Sequence, residues 1–95
     1  MPELEWLEPA RADLLSIIEY IADDNPDAAQ RVKDDIESKV TRLQDFPKMG
    51  RLGRVEGTRE LVIWTNHVVV YDENTIAVRI LRVLHSAQEW PPSME

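Results

Sequence analysis

The chain has 95 residues, 43% hydrophobic and 31% charged, with a formal net charge of -7. That length makes a single domain, residues 1–95, with a core of modest size. No apolar run approaches the roughly 20 residues that a membrane helix needs, and the absence of cysteine excludes disulfides, thiol catalysis and cysteine-ligated zinc.

The opening Met-Pro-Glu-Leu-Glu-Trp has no basic stretch leading into an apolar one, so no secretory leader is expected and the expected location is cytoplasmic. Glu3 to Leu7 alternates acidic and apolar residues, the period of a half-buried strand. Pro9 suits the first turn of a helix, where its missing N–H costs nothing. Ala10, Leu14, Ile17, Ile18, Ile21 and Ala22 then recur at three- and four-residue spacing, which predicts an amphipathic helix. Asp23-Asp24-Asn25-Pro26 interrupts it. Asn25 is a good N-cap, and Pro26 and Asp27 suit the next first turn. A second helix is predicted from Pro26 to Gln44, with Ala29, Val32, Ile36, Val40 and Leu43 as its apolar stripe. The two form a helical hairpin. Its acid pairs, Asp23/Asp24 and Asp34/Asp35, read as solvated surface, because sequence neighbours on a helix do not face one another.

From Phe46 to Leu61 the composition changes. All three glycines (Gly50, Gly53, Gly57) and four of the eleven basic residues (Lys48, Arg51, Arg54, Arg59) lie here. Residues 1–47, by contrast, carry twelve acids against five bases. A nucleic-acid binder is usually basic overall, so a nucleic-acid contact would need this local patch. Glycine permits turns and close approach, and arginine offers planar donors for phosphate or carboxylate. The loop therefore reads as the entrance to a functional surface. It does not follow the spacing of a nucleotide-binding P-loop.

Three strands are predicted after it: Thr58 to Trp64, His67 to Asp72 and Ile76 to Leu84, with turns at Thr65-Asn66 and Glu73-Asn74. Trp90-Pro91-Pro92 ends regular structure. The expected architecture is α+β: an N-terminal strand, a helical hairpin, then a three-stranded antiparallel meander forming one twisted sheet. Strand alternation puts Arg79, Leu81, Val83 and His85 on one face, and Ile80, Arg82 and Leu84 on the other. Arg82 and His85 would then share a site only if a bulge or the strand's end re-aims one of them. Arg59 and Glu60 also point to opposite faces. His67 and His85 have no metal-ligand spacing, so no metal or other cofactor is expected. Ser86 lacks a nucleophile-elbow motif. Arg59, Arg82 and His85 are the groups that could support phosphoryl chemistry, arginine stabilising charge and histidine moving a proton.

The whole chain resembles toxins of the RelE/ParE superfamily, the toxic halves of bacterial type II toxin–antitoxin modules. The resemblance rests on Trp6 with Ala12-Asp13-Leu14 and Ile17; Tyr20-Ile21-Ala22; Asn25-Pro26-Asp27-Ala28-Ala29; Leu43 with Phe46-Pro47 and Gly50-Arg51; Gly57-Thr58-Arg59-Glu60-Leu61; Val70-Tyr71; and Ile80 to His85 through Gln88 to Trp90-Pro91. It implies a cognate antitoxin that wraps the toxin in a hetero-oligomer, docking on exposed sheet edges and the groove beside the helical hairpin. For the target it implies either DNA gyrase, as in ParE-type members, or mRNA on the ribosome, as in RelE-type members. The helix junction and the Gly-Thr-Arg-Glu-Leu stretch resemble the ParE branch more closely. For a gyrase poison, Lys48, Arg51, Arg54, Arg79 and Trp90 would be target-binding. For an endoribonuclease, Arg59, Arg82 (or Arg79) and His85 would be catalytic, with Lys48, Arg51 and Arg54 gripping phosphates. The third alternative is an inactive homologue that only binds an antitoxin.

Overall fold

A computed structural model of the protein describes residues 2–63, 66–85 and 90–91. The elements run β1 (Glu3–Trp6), α1 (Glu8–Asp24), α2 (Pro26–Thr41), a 3-10 turn (Arg42–Gln44), β2 (Arg51–Leu52), β3 (Arg59–Val62), β4 (His67–Glu73) and β5 (Ala77–His85). Asn25 makes the hairpin. Its extended backbone ends α1, donating its N–H to Ile21 O, and its side-chain oxygen accepts the Ala28 N–H of α2 at 3.0 Å. The predicted second helix holds to Thr41, after which its last turn tightens into the 3-10 form. Asp35 pairs with Lys39 on its surface, and Lys33 with Glu37. Asp34 accepts from Gln30. No helix among the described residues is long and apolar enough to cross a membrane.

The sheet order is β1-β5-β4-β3-β2. The last three strands form the predicted meander, β3 antiparallel to β4 and β4 to β5. Two features extend it to five strands. β1 lies parallel to β5, Glu3 opposite Ala77 and Trp6 opposite Ile80. A two-residue edge strand, β2, forms within the glycine loop and pairs Arg51 with Glu60. Strand alternation cannot reveal a strand's neighbour, and two residues are too few to show a period.

The helical hairpin covers one sheet face. Ala10 and Leu14 of α1, Ile36 and Val40 of α2, and Leu43 meet Ile63, Val69, Tyr71, Val78, Ile80 and Val83 there. Ile36, Val40 and Leu43 are fully buried, and each such side chain stabilises by about 1.5–3 kcal/mol. The opposite face carries a smaller cluster of Val68, Val70 and Leu84, with Leu81 and Trp90 against it.

The predicted faces of β5 need correction. The β4–β5 register slips between Val70 and Tyr71: Val70 faces Arg82 while Tyr71 faces Ile80, so Leu81 is an extra residue. The phase therefore reverses. Val83 shares the helix-covered face with Val78 and Ile80, whereas Leu84 joins Leu81 on the outer face. The predicted strand end at Trp64, the Thr65 turn position, and Ser86, Gln88, Glu89 and Pro92 lie outside the described residues.

Candidate functional site

The glycine loop is anchored by Tyr71, which is fully buried. Its hydroxyl accepts the Gly50 N–H at 2.9 Å and donates to Pro47 O at 2.8 Å. Burial pushes the Tyr71 pKa up, keeping the hydroxyl protonated as a donor. A Cβ on Gly50 would stand 2.7 Å from that hydroxyl oxygen, so the close approach requires glycine. Arg59, opposite Tyr71 on the helix-covered face, donates Nη1 to Gly50 O at 2.9 Å and lies 3.9 Å from Glu73. Its guanidinium thus holds the loop backbone from within.

Glu60, the next residue, faces outward yet is only 2% exposed. It accepts Arg51 Nη2 at 3.0 Å and the Arg54 backbone N–H at 3.2 Å, with Arg54 Nε 3.3 Å away. Burial alone would raise its pKa. The Arg54 N–H, the Arg51 hydrogen bond and the two positive charges outweigh that and hold the carboxyl below its ordinary range. Two guanidiniums share one carboxylate, and both side chains are substantially exposed. Lys48 stands on the same loop, beside an apolar cleft lined by Arg42, Phe46, Pro47 and Met49. Of the candidate target-binding residues, Arg51 and Arg54 thus meet at Glu60 while Lys48 lines the cleft, with exposed Phe46, Met49 and Leu52 on the same stretch of chain.

The last strand distributes its cations differently. Arg79 lies on the outer face and makes a two-pronged pair with Asp72, opposite it on β4, at 2.9 and 2.6 Å. Arg82 turns instead to α1. Its Nε and Nη2 donate to Asp13 at 2.6 and 3.0 Å, and Asp13 also accepts the Val83 N–H at 2.9 Å. The Asp13 hydrogen bonds push the Arg82 pKa further up. The Arg82 guanidinium carbon lies 5.8 Å from the centre of the Trp90 ring.

His85 sits opposite His67 on the helix-covered face, ring centres 5.3 Å apart and edge-to-face. With Ser16, Ile17, Tyr20, Ile21 and Asn66 they line a groove between α1 and the end of β4–β5. Burial, then the neighbouring His85, lowers the His67 pKa.

The structure brings Arg51 and Arg54 together but does not gather Arg59, Arg82 and His85. Arg59 aligns with Tyr71 and His85 with His67. Those rows are four residues apart on β4, about 13 Å at the usual rise per residue, and on strands separated by β4. Arg82 occupies the row beside Arg59 but faces away from it. Sequence reasoning gave no role to Asp13 or the Tyr71 hydroxyl. Asp13 did carry a signal: an acid three residues after Ala10 and four before Ile17 falls on the apolar stripe of α1.

Comparison with known proteins agrees with this geometry. The family model for the ParE toxin of the type II toxin–antitoxin system parDE matches residues 4–90. The toxin homologue Y4kP of Sinorhizobium fredii (strain NBRC 101917 / NGR234) is 39% identical over 88 residues, covering 93% of this chain and 92% of that protein. Toxin RelE2 of Caulobacter vibrioides (strain ATCC 19089 / CIP 103742 / CB 15) is 34% identical over 88 residues, covering 93% and 99%. A structure described as the chromosomal ParDE toxin–antitoxin system from P. aeruginosa superimposes with a TM-score of 0.80 at 27% identity, over 90% of this chain and 96% of that one. With the hairpin-on-sheet fold and near-complete coverage in each comparison, the chain belongs to the family of ParE toxins of type II toxin–antitoxin systems.

Proposed function

We propose that this protein inhibits growth by binding DNA gyrase, without cleaving a bond, and that a cognate antitoxin neutralises it in a hetero-oligomer. The observation that carries the target assignment is the dispersal of the three groups an endoribonuclease centre would need. Arg82 is committed to Asp13 and Arg59 to the loop backbone. A phosphate-cleaving centre needs charge stabilisation and proton transfer within hydrogen-bond reach of one substrate position, and Arg59 and His85 stand too far apart for that. The exposed Arg51 and Arg54 side chains, by contrast, suit contact with a large partner. An antitoxin partner is supported by the likeness to a ParDE toxin–antitoxin structure.

One observation favours the second reading, a RelE-like mRNA endonuclease on the ribosome: the His67–His85 pair opens on a groove beside the exposed Tyr20. The experiment is pulse labelling of DNA and protein after inducing the chain alone, with gyrase supercoiling and ribosomal mRNA cleavage assayed on the purified protein. DNA synthesis falling first, with supercoiling inhibited and mRNA intact, is expected. Protein synthesis falling first, with cut mRNA, would overturn the gyrase reading, and unchanged growth would favour an inactive antitoxin-binding homologue.

A further inference from the structure

β1 accompanies β5 only as far as Trp6 opposite Ile80, where the Leu7 N–H closes the pairing on Ile80 O. Past that point α1 supplies the edge partner. Asp13 takes the Val83 N–H that a neighbouring strand would otherwise take, and its two oxygens grip the Arg82 fork. The extra residue Leu81 immediately precedes this fork and re-aims Arg82 toward the edge. The gripped guanidinium lies beside the Trp90 ring, which packs against the outer cluster of Val68, Val70 and Leu84. The buried Trp90 indole N–H makes no hydrogen bond among the described residues. Among the described residues, then, the ring is held by that apolar packing and by Arg82.

We propose that Asp13 is a positioning residue for the target-binding end of the molecule: by clamping Arg82 it sets the cation against which Trp90 stacks, and hence the pose of Trp90 and Pro91. This rests on the reading of Trp90 as a target contact. A planar guanidinium held at two points offers a fixed face to an aromatic ring, which a freely rotating cation does not. Asp13→Asn keeps the shape of the side chain but removes the charge and one acceptor. Arg82→Lys keeps a cation for Asp13 but loses the fork.

The test labels the full chain with 5-fluorotryptophan and assigns the Trp90 fluorine resonance by its loss in Trp90→Phe. Both Asp13→Asn and Arg82→Lys are expected to move the Trp90 resonance while that of Trp6 stays. Both are also expected to raise the concentration for half-inhibition of gyrase supercoiling about tenfold, in line with loss of a charge-assisted hydrogen bond. Melting curves confirm that each variant is folded, and either folded variant suffices. A Trp90 resonance at its wild-type position in a folded variant would overturn the clamp. A moved resonance with unchanged inhibition would overturn its link to the target. If the wild-type chain leaves gyrase untouched, the gyrase reading falls by itself, the resonance still decides the clamp, and potency is then read on whichever synthesis the wild type blocks.

Discussion

Replacing Glu60 by glutamine isolates the electrostatics of the basic loop. The variant keeps the volume of a side chain that is only 2% exposed. It removes the charge and turns one acceptor oxygen into a donor aimed at an arginine. The wild-type carboxylate accepts Arg51 Nη2 at 3.0 Å and the Arg54 N–H at 3.2 Å, with Arg54 Nε at 3.3 Å. A hydrogen bond to a charged group contributes about 1.5–3 kcal/mol. The arginines are substantially exposed and their attraction is screened, so the low end applies and a loss of about 2 kcal/mol is expected. For a domain of this size that lowers Tm by about 8–16 °C. The assay is thermal unfolding by circular dichroism at neutral and acidic pH. Because the folded-state pKa of Glu60 is lowered, its contribution is present above the unfolded carboxylate value of about 4.3 and is lost as pH falls through the lower folded value. The Tm gap between wild type and Glu60→Gln should therefore be constant above about pH 5 and narrow as the pH falls below the unfolded value. A gap under about 2 °C at pH 7, or one that does not narrow as the pH falls below about 4.3, would refute the reasoning.

Tyr71→Phe strands the Gly50 N–H and leaves Pro47 O without its donor; urea unfolding should show a loss of about 1–3 kcal/mol. For His67 the sign runs opposite to that of Glu60. Its folded pKa is depressed, so the unfolded chain binds the proton first and stability should decline as pH falls below about 6.5, levelling off once the folded value is passed. His67→Gln should flatten that part of the curve in the same unfolding assay.

The helical hairpin was legible because its signals are local. Asn25-Pro26 is both a stop and a start, and the stripes of α1 and α2 have the helical period. The meander was legible from its apolar runs and the turn at Asn74, whose side chain caps Ile76 and Ala77. What escaped depends on residues distant in sequence or on one-residue changes of phase. The Leu81 bulge leaves no mark, since Leu-Arg-Val-Leu alternates acceptably in either phase. At the candidate site the arginines stood out, but their partners did not. Asp13 meets Arg82 across 69 positions of chain, and no local pattern couples them. Arg59 and Glu60 were expected to point to opposite faces, and they do: one ties the loop from below, the other from above.

The parallel pairing of β1 with β5 also sets an order of events during synthesis. Glu3 to Trp6 pair with Ala77 to Ile80, so the strand pairing of the first strand to emerge waits for the last. A chain that still lacks β5 is missing Val78, Ile80 and Val83 from the core under α1, and it has no Arg82 for Asp13. Closing such a distant contact carries a loop-closure cost that slows folding. The edge pairing of β1 and the Asp13–Arg82 clamp are therefore completed only after the C-terminal strand has been made.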